Sequence, residues 1–209
     1  MAGDDRPVAV LLAGGLARRM GGGDKPLRRL GGRTLLDHVI ARVRPQVRAL
    51  VLNANGDAGR FAAWGLPVVA DPLPDYPGPL AGVLAGMQWT RAHFPDAAWL
   101  LSVPTDTPFL PSDLAARLTA GCAEHGAVLA CAASAGRRHP VAALWPVALT
   151  EDLATALAAG ARKVEAWTAG YRVAIVEFSA VPLDPFFNVN RPDDLEAAAR
   201  SEAGEGSAV

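Results

Sequence analysis

Between residues 11 and 25 the chain reads Leu11-Leu12-Ala13-Gly14-Gly15-Leu16-Ala17-Arg18-Arg19-Met20-Gly21-Gly22-Gly23-Asp24-Lys25, a glycine-rich loop with three cations behind an apolar run. Glycine lets backbone N–H groups approach an anion closely, and Arg18, Arg19 and Lys25 add positive charge, so the loop reads as a phosphate holder. Only Lys25 and Lys163 are lysines among twenty basic residues. A compact ammonium kept where the chain otherwise writes arginine suits a single phosphate oxygen, which a planar guanidinium fork does not match as well. The dinucleotide fingerprint needs G-x-G-x-x-G and the ATPase loop needs G-x-x-x-x-G-K-[ST]; adjacent Gly14-Gly15 and Asp24-Lys25-Pro26 satisfy neither.

Three further polar residues follow short apolar runs: Asn53 after residues 50–52, Asp71 after 67–70, and Asp106 in Pro104-Thr105-Asp106-Thr107-Pro108 after 97–103. With Gly14 they fall at the carboxyl ends of four predicted strands, where ligands bind in parallel sheets. An acid there can hold Mg²⁺, which favours carboxylate oxygen and keeps some of its waters. The set points to attack at the α-phosphorus of a nucleoside triphosphate with loss of pyrophosphate, a reaction that needs positioning and charge neutralisation above all. No histidine among His38, His93, His125 and His139 reads as a convincing general base. An acceptor that is itself a phosphate monoester fits that lack, since its second pKa of ~6 leaves it largely dianionic at neutral pH.

An anionic acceptor needs its own cations. Arg137, Arg138 and His139, read as a basic turn, and Arg162 with Lys163 are candidates. Asp75-Tyr76-Pro77-Gly78-Pro79-Leu80-Ala81-Gly82 reads as a rigid turn into a helix, shaping the acceptor pocket beside the third strand.

The positioning elements follow from the pattern. Strands are expected at 8–12, 50–53, 67–71, 97–103, 127–132, 141–145 and 173–178. Helices are expected at 34–43, 80–89, 112–124, 151–158, 163–168 and 192–200. Alternation of the two implies one α/β domain with a mostly parallel sheet covered on both faces. A length of 209 residues suits that. The expected division is a disordered N-terminus at 1–7, a catalytic domain at 8–200 and a disordered tail at 201–209. Net charge of −1 argues against nucleic acid as a partner. Cys122 and Cys131 lack metal-site spacing and read as buried thiols. No apolar stretch approaches about 18 residues, so no membrane contact and a cytoplasmic location are expected.

Along almost all of residues 8–200 the chain resembles the molybdenum cofactor guanylyltransferases. Leu12-Ala13-Gly14-Gly15 with Arg19-Met20-Gly21-Gly22 and Asp24-Lys25 is similar to that family's nucleotide loop, residues 75–82 to its next signature, Asp106-Thr107-Pro108-Phe109 to its metal-binding turn, and Asn188-Val189-Asn190-Arg191-Pro192 to its C-terminal signature. Thr105 departs from the cysteine expected in some relatives. The resemblance implies a single-domain, Rossmann-like three-layer α/β/α fold of the nucleotide-diphospho-sugar-transferase type. It implies transfer of GMP from GTP to the phosphate of molybdopterin with Mg²⁺, or Mn²⁺ in its place, held by Asp106. On this carry-over Lys25, Asp106 and Arg19 are catalytic, and Leu12, Ala13, Gly14, Gly15, Lys25, Asn53, Asp71 and Asp106 bind nucleotide. Tyr76, Gly78, Pro79, Arg138, His139, Asn188 and Asn190 belong to the acceptor side. Expected partners are the two substrates and, transiently, maturation proteins of molybdoenzymes, the chain itself being a monomer or weak homo-oligomer. The competing readings are a cytidylyltransferase of the same cofactor or another transferase acting on a phosphorylated acceptor, and, from a different class, a non-catalytic carrier of nucleotide or molybdopterin.

Overall fold

The computed structural model describes residues 4–14, 24–73, 78–190 and 194. Seven strands form one sheet: β1 (Val8–Leu12), β4 (Ala49–Asn53), β5 (Val68–Val69), β6 (Trp99–Pro104), β7 (Leu129–Ser134), β8 (Arg137–Pro146) and β9 (Val173–Phe178). A small antiparallel pair, β2 (Arg29–Leu30) and β3 (Arg33–Thr34), stands apart, turned by Gly31 and Gly32 at positive φ. The sheet order is β5-β4-β1-β6-β8-β7-β9. All pairings are parallel except those of β8 with β6 and β7, so six strands point one way and β8 runs against them.

The central strands are apolar on both faces because both are covered. Ala9, Leu11, Leu50 and Leu52 pack beneath α1 (Leu35–Val43) and α3 (Leu114–His125). Val8, Val10, Val51 and Leu100 pack against α2 (Pro79–His93), α4 (Thr150–Ala158) and α5 (Val164–Thr168). Helix α1 begins in a capping box: the Asp37 amide donates to Thr34 Oγ1 at 3.0 Å, and the Asp37 carboxylate accepts from the Thr34 amide at 2.8 Å. Helix α2 is buried on nearly all sides, with Gly82 and Gly86 allowing it to lie close on the sheet.

The basic turn expected at 137–140 is corrected. Arg137, Arg138, His139 and Pro140 belong to β8, and the turn before them is Ala135-Gly136, both at positive φ. A bulge explains how a proline sits in this interior strand: Cys131 pairs with Ala143 but Ala132 with His139, so residues 140–142 have no partner on β7. Ser102 Oγ donates to the Val141 carbonyl at 2.6 Å and accepts from Trp145 Nε1 at 2.8 Å, which holds the bulge from the β6 side. Both cysteines are buried, and burial pushes the Cys131 thiol up to about 11, so it stays protonated and unreactive. Among the described residues no helix is long and apolar enough to cross a membrane.

Candidate active site

The carboxyl rim of the sheet collects the residues singled out above. Neighbouring strands β5, β4, β1 and β6 end at or just before Asp71, Asn53, Gly14 and Asp106 in that spatial order. The rim is stitched by backbone: Ala13 N donates to the Asn53 carbonyl at 2.9 Å, and Thr105 Oγ1 donates to the Leu12 carbonyl at 3.1 Å. Thr105 thus ties β6 to β1 through its hydroxyl and, at 3.4 Å, its amide, both donating to the Leu12 carbonyl. A Cβ added to Gly14 would meet nothing within 4 Å, so the backbone there borders open space.

Lys25 opens a short 3-10 turn, with Asp24 before it and buried Pro26 after it. Its Nζ donates both to Asp106 Oδ2 and to Asn190 Oδ1. Three segments far apart in sequence therefore meet at one ammonium. The loop bearing the asparagines is fixed by the Val189 amide, which donates to the Asp106 carbonyl at 2.9 Å, while the Val189 side chain is buried with Phe109, Leu30 and Leu35. Asn188 lines a cavity of about 250 Å³ with Asp106, Arg137, Arg138, His139 and Phe186.

At the other end of the rim, Asn53 Nδ2 donates to Asp71 Oδ1 at 2.9 Å and to the Val69 carbonyl at 3.2 Å. Asn55 grips the same acid twice, Nδ2 donating to Asp71 Oδ2 at 2.7 Å and Oδ1 accepting from the Asp71 amide at 2.8 Å. The Asn55 carbonyl accepts from Arg60 Nη2 at 2.6 Å, and Arg60 Nε lies 2.8 Å from Asp24 Oδ2. A continuous polar chain thus runs from the residue beside Lys25 to the pair Asn53–Asp71.

Gly78 caps α2 at φ 149°, a conformation side chains disfavour, and a Cβ there would lie 3.4 Å from the Arg162 carbonyl. Pro79 follows as the first helical residue. Arg138 lines the 250 Å³ cavity and also a larger one, about 410 Å³, between α5 and strands β7, β8 and β9. Gly15, Arg19 and Tyr76 lie outside the described residues.

Residues 9–175 match the MobA-like NTP transferase domain family. The molybdenum cofactor guanylyltransferase of Rhodopseudomonas palustris (strain BisB5) is 59% identical over 201 residues, covering 96% of each chain. The protein of the same name from Bradyrhizobium sp. (strain ORS 278) is 58% identical over 197 residues, covering 94% of this chain and 93% of that one. The chain belongs to the molybdenum cofactor guanylyltransferase family. Among solved structures, molybdopterin-guanine dinucleotide biosynthesis protein A from Archaeoglobus fulgidus superposes with a TM-score of 0.72 at 22% identity, covering 94% of this chain and 99% of that one. The expected fold, a single-domain nucleotidyltransferase of the nucleotide-diphospho-sugar-transferase type, is therefore the observed one.

In this guanylyltransferase-family chain the sequence reading missed Asn55, Arg60, Ser134 and Asp184. Asn55 stands two residues beyond Asn53, and that spacing past a strand end was the available signal. The contacts of Arg60 with Asp24 and of Asp184 with Ser134 span 36 and 50 residues, and no local pattern announces them. Among the described residues no group of three or more His, Cys, Asp or Glu side chains could cage a metal. Asp106 stands as a single carboxylate, about one-fifth exposed. That donor set fits a hard cation of the Mg²⁺ kind, which takes one or two carboxylates and completes its shell from substrate phosphates and water.

Proposed function

We propose that this protein transfers GMP from GTP to the phosphate of molybdopterin, releasing pyrophosphate and forming molybdopterin guanine dinucleotide. The observation that carries the reading is the meeting of Lys25, Asp106 and Asn190 beside the open backbone at Gly14, in a chain whose curated relatives are named guanylyltransferases.

In this reading the triphosphate lies along the rim at Leu12, Ala13, Gly14 and Gly15, its oxygens received by the backbone N–H groups of the two glycines and by the cations of Arg19 and Lys25. Asn53 and Asp71 bind the nucleoside portion. Asp71 is held by three hydrogen bonds with Asn53 and Asn55, so a donor on the ligand meets an acceptor already fixed in place. Asp106 is the ligand for Mg²⁺, with Mn²⁺ able to substitute, and the ion supplies charge neutralisation across the phosphates. Lys25 is pre-oriented by Asp106 and Asn190, and its ammonium stands where negative charge builds on the phosphates as pyrophosphate departs. Gly78, Pro79 and Tyr76, with Arg138, His139, Asn188 and Asn190, are assigned to binding the acceptor. Arg137, Arg162 and Lys163 add positive charge for an anionic acceptor.

The test has two parts. GTP with Mg²⁺ raises the melting temperature more than CTP, UTP or ATP, and pyrophosphate appears only when molybdopterin is added. Equal protection by CTP makes the protein a cytidylyltransferase, and tight binding of both substrates without pyrophosphate release makes it a carrier.

A further inference from the structure

Resting on the transfer reading above, we propose that His139 takes the last proton of the acceptor's phosphate at Nδ1, and that Ser134 and Asp184 are positioning residues that keep this atom free to do so. The lock is a matter of counting hydrogens. Ser134, fully buried at the end of β7, has one hydroxyl hydrogen and two neighbours, Asp184 Oδ1 at 2.8 Å and His139 Nε2 at 2.7 Å. An ionised carboxylate only accepts, so the hydroxyl hydrogen points to Asp184. Ser134 Oγ then offers His139 a lone pair, and Nε2 must carry the hydrogen. The neutral ring is left with its lone pair on Nδ1.

The ring is also fixed in its plane. It stacks on Phe186 with centroids 4.4 Å apart and planes 18° off parallel. Asp184 fixes Phe186 in turn, its Oδ1 accepting from the Phe186 amide at 2.9 Å. The same carboxylate oxygen therefore sets the hydrogen on His139 and the turn leading to Asn188 and Asn190. His139 and Asp106 line one cavity, with Asn188, Arg137 and Arg138 around it. A phosphate drawn there by the arginines enters the cavity that the ring lines.

The chemistry balances simply. An acceptor arriving as the monoanion, R–O–PO₃H⁻, gives its proton to Nδ1 and becomes the dianion, and His139 becomes an imidazolium beside it. A dianion oxygen then forms its bond to the α-phosphorus of GTP while the bond to the pyrophosphate oxygen breaks. The imidazolium returns its proton to solvent after product leaves. The charged groups facing the ring are Asp184, Arg137, Glu177 on β9 and, across the cavity, Asp106 and Arg138. Burial lowers the imidazole from its ordinary value and Arg137 adds to that, against opposing pulls from Asp184 and Glu177. The ring thus keeps its lone pair to lower pH than a free imidazole, which favours its acting on an acceptor that still carries its proton.

The experiment is kcat/KM for molybdopterin, at saturating GTP and Mg²⁺, from pH 8 to pH 5. In His139→Asn it falls about tenfold, following the dianion fraction of an acceptor with pKa ~6, and in the wild type the fall is smaller and sets in at lower pH. Ser134→Ala, which removes the acceptor for Nε2–H, shifts the profile toward that of His139→Asn. Asp184→Asn keeps the wild-type shape, because an amide oxygen still accepts from Ser134 and from the Phe186 amide. Nitrogen-15 NMR of the histidine ring reads the lock without turnover: the neutral wild-type ring carries hydrogen on Nε2, and Ser134→Ala mixes the two tautomers. Superimposable pH profiles, or a wild-type ring protonated on Nδ1 alone, overturn the role of His139. Absence of pyrophosphate release from the wild type at every pH removes the transfer reading itself and this proposal with it.

Discussion

Gly82→Ala should damage nucleotide binding far more than it damages the fold, with Gly86→Ala as its control. Both glycines lie inside α2, one turn apart, and both press on the sheet. A Cβ on Gly82 would sit 2.2 Å from Asn53 Oδ1 and 2.6 Å from Leu12 Cδ2, and one on Gly86 would sit 2.7 Å from Val10 Cβ and 3.1 Å from Leu100 Cδ2. Alanine in a helix interior is favoured over glycine by roughly 1 kcal/mol, while forcing a methyl into a packed core costs roughly 1–3 kcal/mol. Each variant therefore loses at most about 2 kcal/mol, which for a chain of this size is a melting temperature lower by up to about 8 °C.

The difference lies in what must move. Gly86 pushes on Val10 Cβ and Leu100 in mid-strand, so its cost falls on the packing of helix against sheet and not on a side chain of the rim. Gly82 pushes on Asn53, whose Nδ2 holds Asp71 at 2.9 Å. Displacing it breaks a hydrogen bond to a charged group, roughly 1.5–3 kcal/mol, or about tenfold or more in the Kd for GTP. Titration calorimetry with GTP and Mg²⁺, alongside thermal melts of both variants, separates the two effects. Wild-type GTP affinity in Gly82→Ala, or an equal loss in Gly86→Ala at matched stability, would refute the argument that α2 acts on the nucleotide through Asn53.

Lys25→Ala should lower kcat more than it weakens GTP binding, and Asp106→Ala should abolish Mg²⁺-dependent turnover with an unchanged circular dichroism spectrum; wild-type rates in both would remove their assigned roles. Asn55→Ala leaves Asp71 without two of its contacts, so GTP affinity should fall several-fold by calorimetry while the rate at saturating GTP changes little. Thr34→Ala opens the capping box of α1 and should cost about 1 kcal/mol in urea unfolding with turnover retained. Burial raises the Asp37 carboxyl, but hydrogen bonds from Thr34 and the Trp64 indole outweigh it and hold the group below the usual ~3.9. Its folded pKa is the depressed one, so its contribution is present above about pH 4 and fades as pH falls through the folded value; Asp37→Asn should flatten that part of the acid unfolding curve.

The strands of the main sheet were legible because their residues are mostly apolar, those of β1, β4 and β7 being buried almost throughout. Asn53, Asp71 and Asp106 were legible because a polar residue that ends such a run must lie at a rim. The start of β8 was not, since Arg137-Arg138-His139-Pro140 carries three polar residues and a proline, and only the bulge held by Ser102 and Trp145 makes room for them in a strand. The β2–β3 pair escaped notice although Gly31-Gly32 is a usual tight-turn sequence, because strands of two residues give no periodicity to read. Asn55, Arg60, Ser134 and Asp184 act through partners brought near by folding, and their types alone fit any surface loop.

The reversal of β8 has a consequence for the proposed reaction. In β5, β4, β1 and β6 the rim receives carboxyl ends, which follow apolar strands and can carry only what the next loop begins with: Asp71, Asn53, Gly14 and Asp106. A further parallel strand beside β6 would deliver the same kind of residue. Because β8 runs the other way, its amino end reaches that rim instead and brings Arg137, Arg138 and His139 into the cavity that Asp106 also lines. The bulge then frees residues 140–142 from pairing with β7, so the edge next to Asp106 is shaped by side chains and not by ladder geometry. The proposed nucleotide half of the site is thus built from strand ends and the proposed acceptor half from a strand start. The two halves meet where β6 and β8 pair, which is where an acceptor phosphate must approach the α-phosphorus. An alteration that straightens β8, such as Ser102→Ala, acts on this junction and leaves Lys25, Asn53 and Asp71 in place.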